Sequence, residues 1–268
     1  MDQGNGVTVQ TDVAFVRQVS DSFSDAVTTI RLPGGSRPEI DPIRARAQHG
    51  QYVDALGMLG LAVVAIEPDE AFPDGCFVED SVVVADGLAL LTRSAHLARR
   101  GEGARLRPFY ESAGLIICEM APPATLDGGD VLRVGDTLFV GMTARTNAAG
   151  VALLRDVFEP RGLHVCPVAM PPGILHLKCV VSSPAPETVV LADETLPANI
   201  FSGLRVLSIP AAERYAANTV GRMGTVILAD GYPKTRAVLE RAGLDTVALD
   251  TSEFKKADGS LTCLSVIL

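Results

Sequence analysis

The sequence predicts an α/β chain of about five similar units closed on one another. Three observations predict it. Short runs of β-branched and aliphatic residues alternate with amphipathic stretches, a strand–turn–strand pattern recurs, and chemically distinctive residues head the successive copies at a near-constant step. From Glu79, positions 127, 176, 218 and 263 follow at intervals of 48, 49, 42 and 45 residues. A unit of this length cannot bury its own apolar face, so such repeats assemble as solenoids, propellers or closed arrays. An irregular α/β sheet with chance spacing is the alternative.

The first unit opens with VAFVRQV (residues 13–19), followed by an amphipathic helix over 43–57 and an apolar run at 61–66 that reads as a buried strand. VEDSVVVADGLALLTR (78–93) is a hairpin turning at Ala85-Asp86-Gly87, and residues 128–147 repeat it with Gly135-Asp136 at the turn. A helix follows over 148–155. Residues 178–193 form a looser third hairpin. In residues 217–249 two strands precede a helix over 233–242 and another strand, with Pro233 at the helix start and Gly243 just past its end. SLTCLSVIL reads as a C-terminal strand. No Gly-, Pro- or Ser-rich linker divides the chain, so residues 1–268 are expected to form one domain.

Composition narrows the functions. Forty-seven per cent of the 268 residues are hydrophobic, 21% are charged and the mean hydropathy is +0.27, which suits a folded globular chain. Against 32 acidic residues stand 23 basic ones, a net charge of −9, so no sequence feature supports binding to nucleic acid or a membrane surface. No run approaches the ~20 apolar residues of a bilayer span. The N-terminus has neither a cationic nor an apolar signal segment, and the cytoplasm is the expected compartment. Five scattered cysteines without a C-x-x-C pair argue for reduced thiols rather than a disulfide framework or a zinc finger.

The heads of the units carry Glu79 with Asp80, Asp127 with Asp130, His176, Asn218, and Asp258 with Cys263. Singly, each has an ordinary explanation as a solvated turn, a satisfied core histidine or a small buried thiol. As a set brought to one centre, they match the needs of nucleophilic attack on a planar cation. Carboxylates bind a guanidinium, a thiolate attacks its unreactive carbon through a covalent intermediate, and an imidazole protonates the departing amine and then accepts a proton from water. An ordinary thiol with a pKa of ~8.5 is only slightly ionised at pH 7, and a nearby cationic substrate or imidazolium would favour its thiolate.

FPDGCFVEDSVVV (72–84), LLTR (90–93), TLDGGDVL (125–132), FVGMTARTN (139–147), LHLK (175–178), YAAN (215–218) and ADGSLTCLSVIL (257–268) resemble the dimethylarginine dimethylaminohydrolases, members of the guanidino-group-modifying enzymes. The resemblance runs from about residue 13 to the C-terminus. It implies a five-bladed α/β propeller of pseudo-fivefold ββαβ repeats that hydrolyses Nω-methylated arginine to citrulline and dimethylamine or methylamine. It implies Cys263 as nucleophile, His176 as general acid and base, and Asp127 as the carboxylate orienting His176. Asp80, Asp258 and Glu79 would grip the guanidinium. Arg93 and Arg145 would clamp the α-carboxylate, and Asp74 with the carbonyls of Phe23 and Ala257 would receive the α-amino group. The partner is a small molecule; no cofactor and no functional metal are implied, and a homodimer is compatible. An arginine deiminase-like amidino hydrolase and a catalytically silent propeller binding protein are the competing readings. Cys179, three residues past His176 on an expected strand, should face away from it and serve structure.

Overall fold

The computed structural model describes residues 12–268. β1 (Val13–Arg17), α1 (Pro42–Met58) and β2 (Ala62–Ile66) make the first unit. The second is β3 (Val82–Ala85), β4 (Leu88–Leu91), α2 (Glu102–Ser112) and β5 (Ile116–Glu119). The third is β6 (Val131–Val134), β7 (Thr137–Met142), α3 (Ala148–Phe158) and β8 (His164–Ala169). The fourth is β9 (Val181–Ala185), β10 (Thr188–Ala192) and β11 (Arg205–Ile209), and the fifth β12 (Val220–Arg222), β13 (Thr225–Ala229), α4 (Pro233–Arg241) and β14 (Asp245–Leu249). α5 (Ser252–Lys256) then leads to β15 (Val266–Ile267), which pairs antiparallel with β1 and supplies the strand the first unit lacks.

Each unit is thus a three-stranded sheet in which an antiparallel pair is followed, through a crossover, by a parallel edge strand. Local chemistry sets this pattern. Asp86 and Gly87 adopt φ of 49° and 76° between β3 and β4, the left-handed pair that a two-residue hairpin turn requires, and Met223 and Gly224 repeat it with 53° and 83°. Asp41 accepts the amides of Ile43 and Arg44 to cap α1, which begins with Pro42, and Asn147 accepts Gly150 N to cap α3.

Three expectations need correction. The run at 61–66 is an outer edge strand, largely half-exposed along β2, because only its inner neighbour β1 is sandwiched between sheets. SLTCLSVIL is not one strand: Leu261–Leu264 is a 3₁₀ turn and only Val266–Ile267 is extended, pairing with β1, while α2, which contains Pro108, has no counterpart in the sequence reading. In the fourth unit the crossover carries only a 3₁₀ turn, Ala198–Phe201, so the ββαβ pattern holds for the other four units and not for this one.

The apolar cores lie between units and close a circle. Phe15 packs in a cluster with Val82 and Leu91, Leu90 with Val131 and Val140, Phe139 with Val181 and Leu191, Val190 with Val226 and Leu228, and Ile227 and Phe254 with Ala14 and Leu56. Units one to five therefore each meet two neighbours, and the fifth returns to the first. Among the described residues no helix is long and apolar enough to cross a membrane.

A ring of buried and half-buried polar contacts follows the same circle at the heads of the inner strands. Gly129 N donates to Asp80 Oδ1 (2.9 Å), Leu177 N to Asp130 Oδ1 (3.0 Å), Asn218 Nδ2 to the Lys178 carbonyl (3.0 Å), Thr262 N to Asn218 Oδ1 (2.9 Å) and Thr262 Oγ1 to Glu79 Oε2 (2.7 Å). The residues that share the repeat spacing are thereby drawn to one axis.

Candidate active site

Short 3₁₀ turns before the inner strands present the chemical groups: Val78–Ser81, Gly128–Asp130, Leu177–Cys179 and Leu261–Leu264. The tight rise and triangular cross-section of such a turn send adjacent side chains in different directions. Asp80 faces a narrow cavity of about 20 Å³ that is also lined by Asp74, Arg145, His176, Asp258 and Cys263. Its neighbour Glu79 points toward the ring axis, where Oε1 accepts Lys178 Nζ at 2.6 Å. This pair forms a floor. A separate cavity of about 250 Å³ is lined by Glu79 and Lys178 together with the inner strands of all five units.

His176 is held by carboxylates. Nε2 lies 3.2 Å from Asp127 Oδ2, while Nδ1 is 3.8 Å from Asp80 Oδ1, beyond hydrogen-bond distance. Burial alone would lower the imidazole's pKa, but Asp80, Asp127 and Asp130 together raise it to about 9. Asp80 is raised by burial and lowered more strongly by His176 and Arg99, to about 2. Asp127 is fully buried; Oδ2 also accepts Arg145 Nη1 at 3.2 Å, and Oδ1 has no partner. The Cys263 thiol, partly open to the cavity, is pushed well above its ordinary pKa by burial and by Glu79 and Asp80. The surroundings thus favour a protonated thiol beside a protonated imidazole.

Gly129 makes this closeness possible. A Cβ there would lie 2.7 Å from both Asp80 Oδ1 and His176 Nδ1. Asp80, Asp127 and His176 have ligand atoms within 4.8 Å of one another, near enough to hold a metal ion, but the two carboxylates already carry the guanidinium groups of Arg99 and Arg145.

Of the residues expected from the sequence, Asp74, Asp80, Arg145, His176, Ala257, Asp258 and Cys263 line the narrow cavity, and Asp127 stands directly behind His176. Asp74 accepts Val27 N, and Asp258, at a left-handed φ of 58°, accepts Thr29 N at 2.5 Å. Three residues are placed elsewhere. Glu79 is engaged by Lys178 and Thr262 at the floor. The Phe23 ring is buried against Phe77 and Phe254, and its carbonyl accepts Ala26 N. Arg93 donates to the Ala124 carbonyl at 3.2 Å and does not line the cavity.

Arg99, which the sequence reading missed, lines that cavity. Its Nη1 reaches Asp80 Oδ2 at 2.5 Å, and its Nε and Nη2 meet Glu102 at 3.1 and 2.8 Å in a buried fork. The available signal was the Arg99–Glu102 spacing of three at a helix start. Cys179 also needs correction. It lies on a 3₁₀ turn, where positions three apart eclipse, and with His176, at that turn's N-terminal boundary, and Cys263 it lines a wider cavity of about 490 Å³ that continues outward.

No protein-family model matches the chain. It is 38% identical over 257 residues to the N(G),N(G)-dimethylarginine dimethylaminohydrolase of Streptomyces coelicolor, covering 95% of this chain and 96% of that one. A dimethylarginine dimethylaminohydrolase crystal structure, a histidine-to-glycine variant as the adduct with S-methyl-L-thiocitrulline, superposes with a TM-score of 0.89 at 30% identity, over 97% of this chain and 100% of that one. The Pseudomonas aeruginosa enzyme, as a cysteine-to-serine mutant complexed with citrulline, gives a TM-score of 0.88 at 31% identity over 95% and 98%.

Proposed function

The chain belongs to the dimethylarginine dimethylaminohydrolase family, and from that premise we propose that it hydrolyses Nω-methylated L-arginines to L-citrulline and dimethylamine or methylamine, with Cys263 as nucleophile. The observation that carries this reading is the convergence of Cys263, His176 and Asp80 on one cavity, with Asp127 behind the imidazole. The five units act together as one domain, since the site draws its groups from several of them, and the five free cysteines suit the reducing cytoplasm.

The chemistry follows from the electrostatics. A guanidinium between Asp80 and Asp258 brings a fixed positive charge beside the thiol and offsets the burial and carboxylates that keep it protonated. The thiol's proton passes to water as the cation binds, and the thiolate attacks the guanidinium carbon. Nε2 of His176 is tied to Asp127, so Nδ1 supplies the proton that lets the methylated amine leave. The imidazole, now neutral, takes a proton from water as its oxygen attacks the S-alkylthiouronium carbon; the carbon–sulfur bond breaks, citrulline forms and the thiol is restored.

The substrate's α-carboxylate is held by Arg145, whose guanidinium lines the cavity, whereas Arg99 is already engaged by Asp80, Glu102 and the Phe77 carbonyl. Arg145→Ala is expected to raise KM, costing roughly 2 to 5 kcal/mol in kcat/KM for a desolvated charge pair. Steady-state kinetics with dimethylarginine check this; an unchanged KM in Arg145→Ala would remove the clamp from this cavity. Gly129→Ala should drive Asp80 and His176 apart and lower kcat by about a hundredfold, the scale of an ångström of misplacement.

The test of the reaction is citrulline release from asymmetric dimethylarginine, monomethylarginine and arginine, each incubated separately. Citrulline from the methylated substrates supports the assignment, and citrulline from arginine alone overturns it.

A further inference from the structure

The wider cavity exceeds what a methylated guanidinium requires. It measures about 490 Å³, whereas a dimethylamino group has three heavy atoms, on the order of two or three water volumes at roughly 30 Å³ each. Beyond Cys263 and His176 its wall is formed by Ile174, Tyr215, Tyr232, Lys255 and Arg214. Lys255, on α5, places Nζ 4.9 Å from the Tyr215 ring centroid and 5.5 Å from that of Tyr232, and donates to the Tyr232 hydroxyl at 2.8 Å. Tyr215 is fixed in turn by its hydroxyl, which donates to the Gly259 carbonyl at 2.9 Å.

The charges of the two cavities differ. The narrow one sets Asp74, Asp80 and Asp258 against Arg99 and Arg145. The wide one has Asp258 as its single carboxylate, and Asp258 already accepts Thr29 N. Lys178 is neutralised by Glu79, but among the described residues neither Lys255 nor Arg214 pairs with a carboxylate. Cations beside a site for a cationic head weaken the binding of a simple alkylguanidinium. They become favourable when the group on the distal nitrogen is negatively charged.

We propose that the wide cavity is a subsite for an anionic Nω-substituent, with Lys255 as its cationic partner, so that the enzyme also hydrolyses Nω-carboxyalkyl-L-arginines. This inference rests on the hydrolytic reading above. The sulfur of Cys263 bonds to the guanidino carbon, the bond from that carbon to the substituted nitrogen breaks, and the proton from His176 goes to the departing nitrogen. Water then replaces sulfur. With a carboxymethyl substituent, one substrate and one water give citrulline and glycine.

The test compares kcat/KM for Nω-carboxymethyl-L-arginine with that for its neutral isostere, Nω-carbamoylmethyl-L-arginine, using Nω,Nω-dimethyl-L-arginine as control. At low salt the carboxylate is expected to be favoured by about fivefold, the upper range for an exposed ion pair, and the preference should shrink as salt is added. Lys255→Met should bring the ratio close to one, and Lys255→Arg should retain it. A wild-type ratio at or below one, or a ratio unchanged in Lys255→Met, overturns the subsite while dimethylarginine turnover leaves the hydrolase intact. No citrulline from any of the three overturns the hydrolase reading instead. The subsite is then judged alone, by titrating the two carboxymethyl and carbamoylmethyl compounds into Cys263→Ser: tighter binding of the carboxylate supports it, and equal binding removes it.

Discussion

Replacing Cys263 with serine is expected to lower citrulline formation from dimethylarginine by about 10⁴-fold or more, the scale seen when a hydrolase loses its nucleophile. The physical reason lies in the surroundings of the sulfur. Burial and the charges of Glu79 and Asp80 already resist ionisation of the thiol, and a bound guanidinium has to overcome that resistance. An alcohol begins far less acidic than a thiol, so the same surroundings leave no useful alkoxide. The substitution is nearly isosteric, and the turn at Leu261–Leu264 is held by backbone contacts and by Thr262, so thermal unfolding should match the parent. Mass spectrometry after exposure to a guanidine-reactive substrate analogue provides the second readout. The wild-type protein should carry the adduct on Cys263, and the serine variant should carry none. Undiminished turnover by the variant would remove Cys263 from the reaction.

The repeat was legible because its determinants are local. Two-residue turns at Asp86-Gly87 and Gly135-Asp136 follow β-branched runs, and their spacing marks the units without reference to tertiary structure. The closure of the circle was legible only as a class of architecture, since it depends on β15 reaching β1 across the whole chain. Side-chain direction at the site was less accessible. Glu79 and Asp80 are adjacent and chemically alike, yet one meets Lys178 at the floor and the other meets Arg99 and the Gly129 amide at the cavity. Cys179 was misplaced for a related reason: a strand's period of two sends positions three apart to opposite faces, and a 3₁₀ turn brings them together. Arg99 and Arg93 lie on the same connection from β4 to α2, and the path of that connection, with Glu102 waiting at the helix start, decides which guanidinium reaches the site.

His176→Gly is expected to lower kcat for dimethylarginine by roughly 10² to 10⁴, the usual contribution of a positioned general acid and base. The pH profile separates this role from a structural one. The imidazole is raised to about 9, so in the parent the protonated form is present below that value and lost as pH rises through it; the rate should fall along that limb. The glycine variant has no such group, and its residual rate should lose the limb while any ascent due to thiol ionisation persists. A change of leaving group sharpens the comparison. S-methyl-L-thiocitrulline expels methanethiolate, which departs with far less need of a proton than an amine, so adduct formation on Cys263 should suffer a smaller loss in the variant than dimethylarginine turnover does. The second half-reaction still requires a base to deprotonate water, and the adduct should therefore accumulate. Added imidazole, entering the space left beside Asp127, should restore part of the rate. Equal losses for the two substrates, with the basic limb retained near 9, would assign the proton transfers to another group.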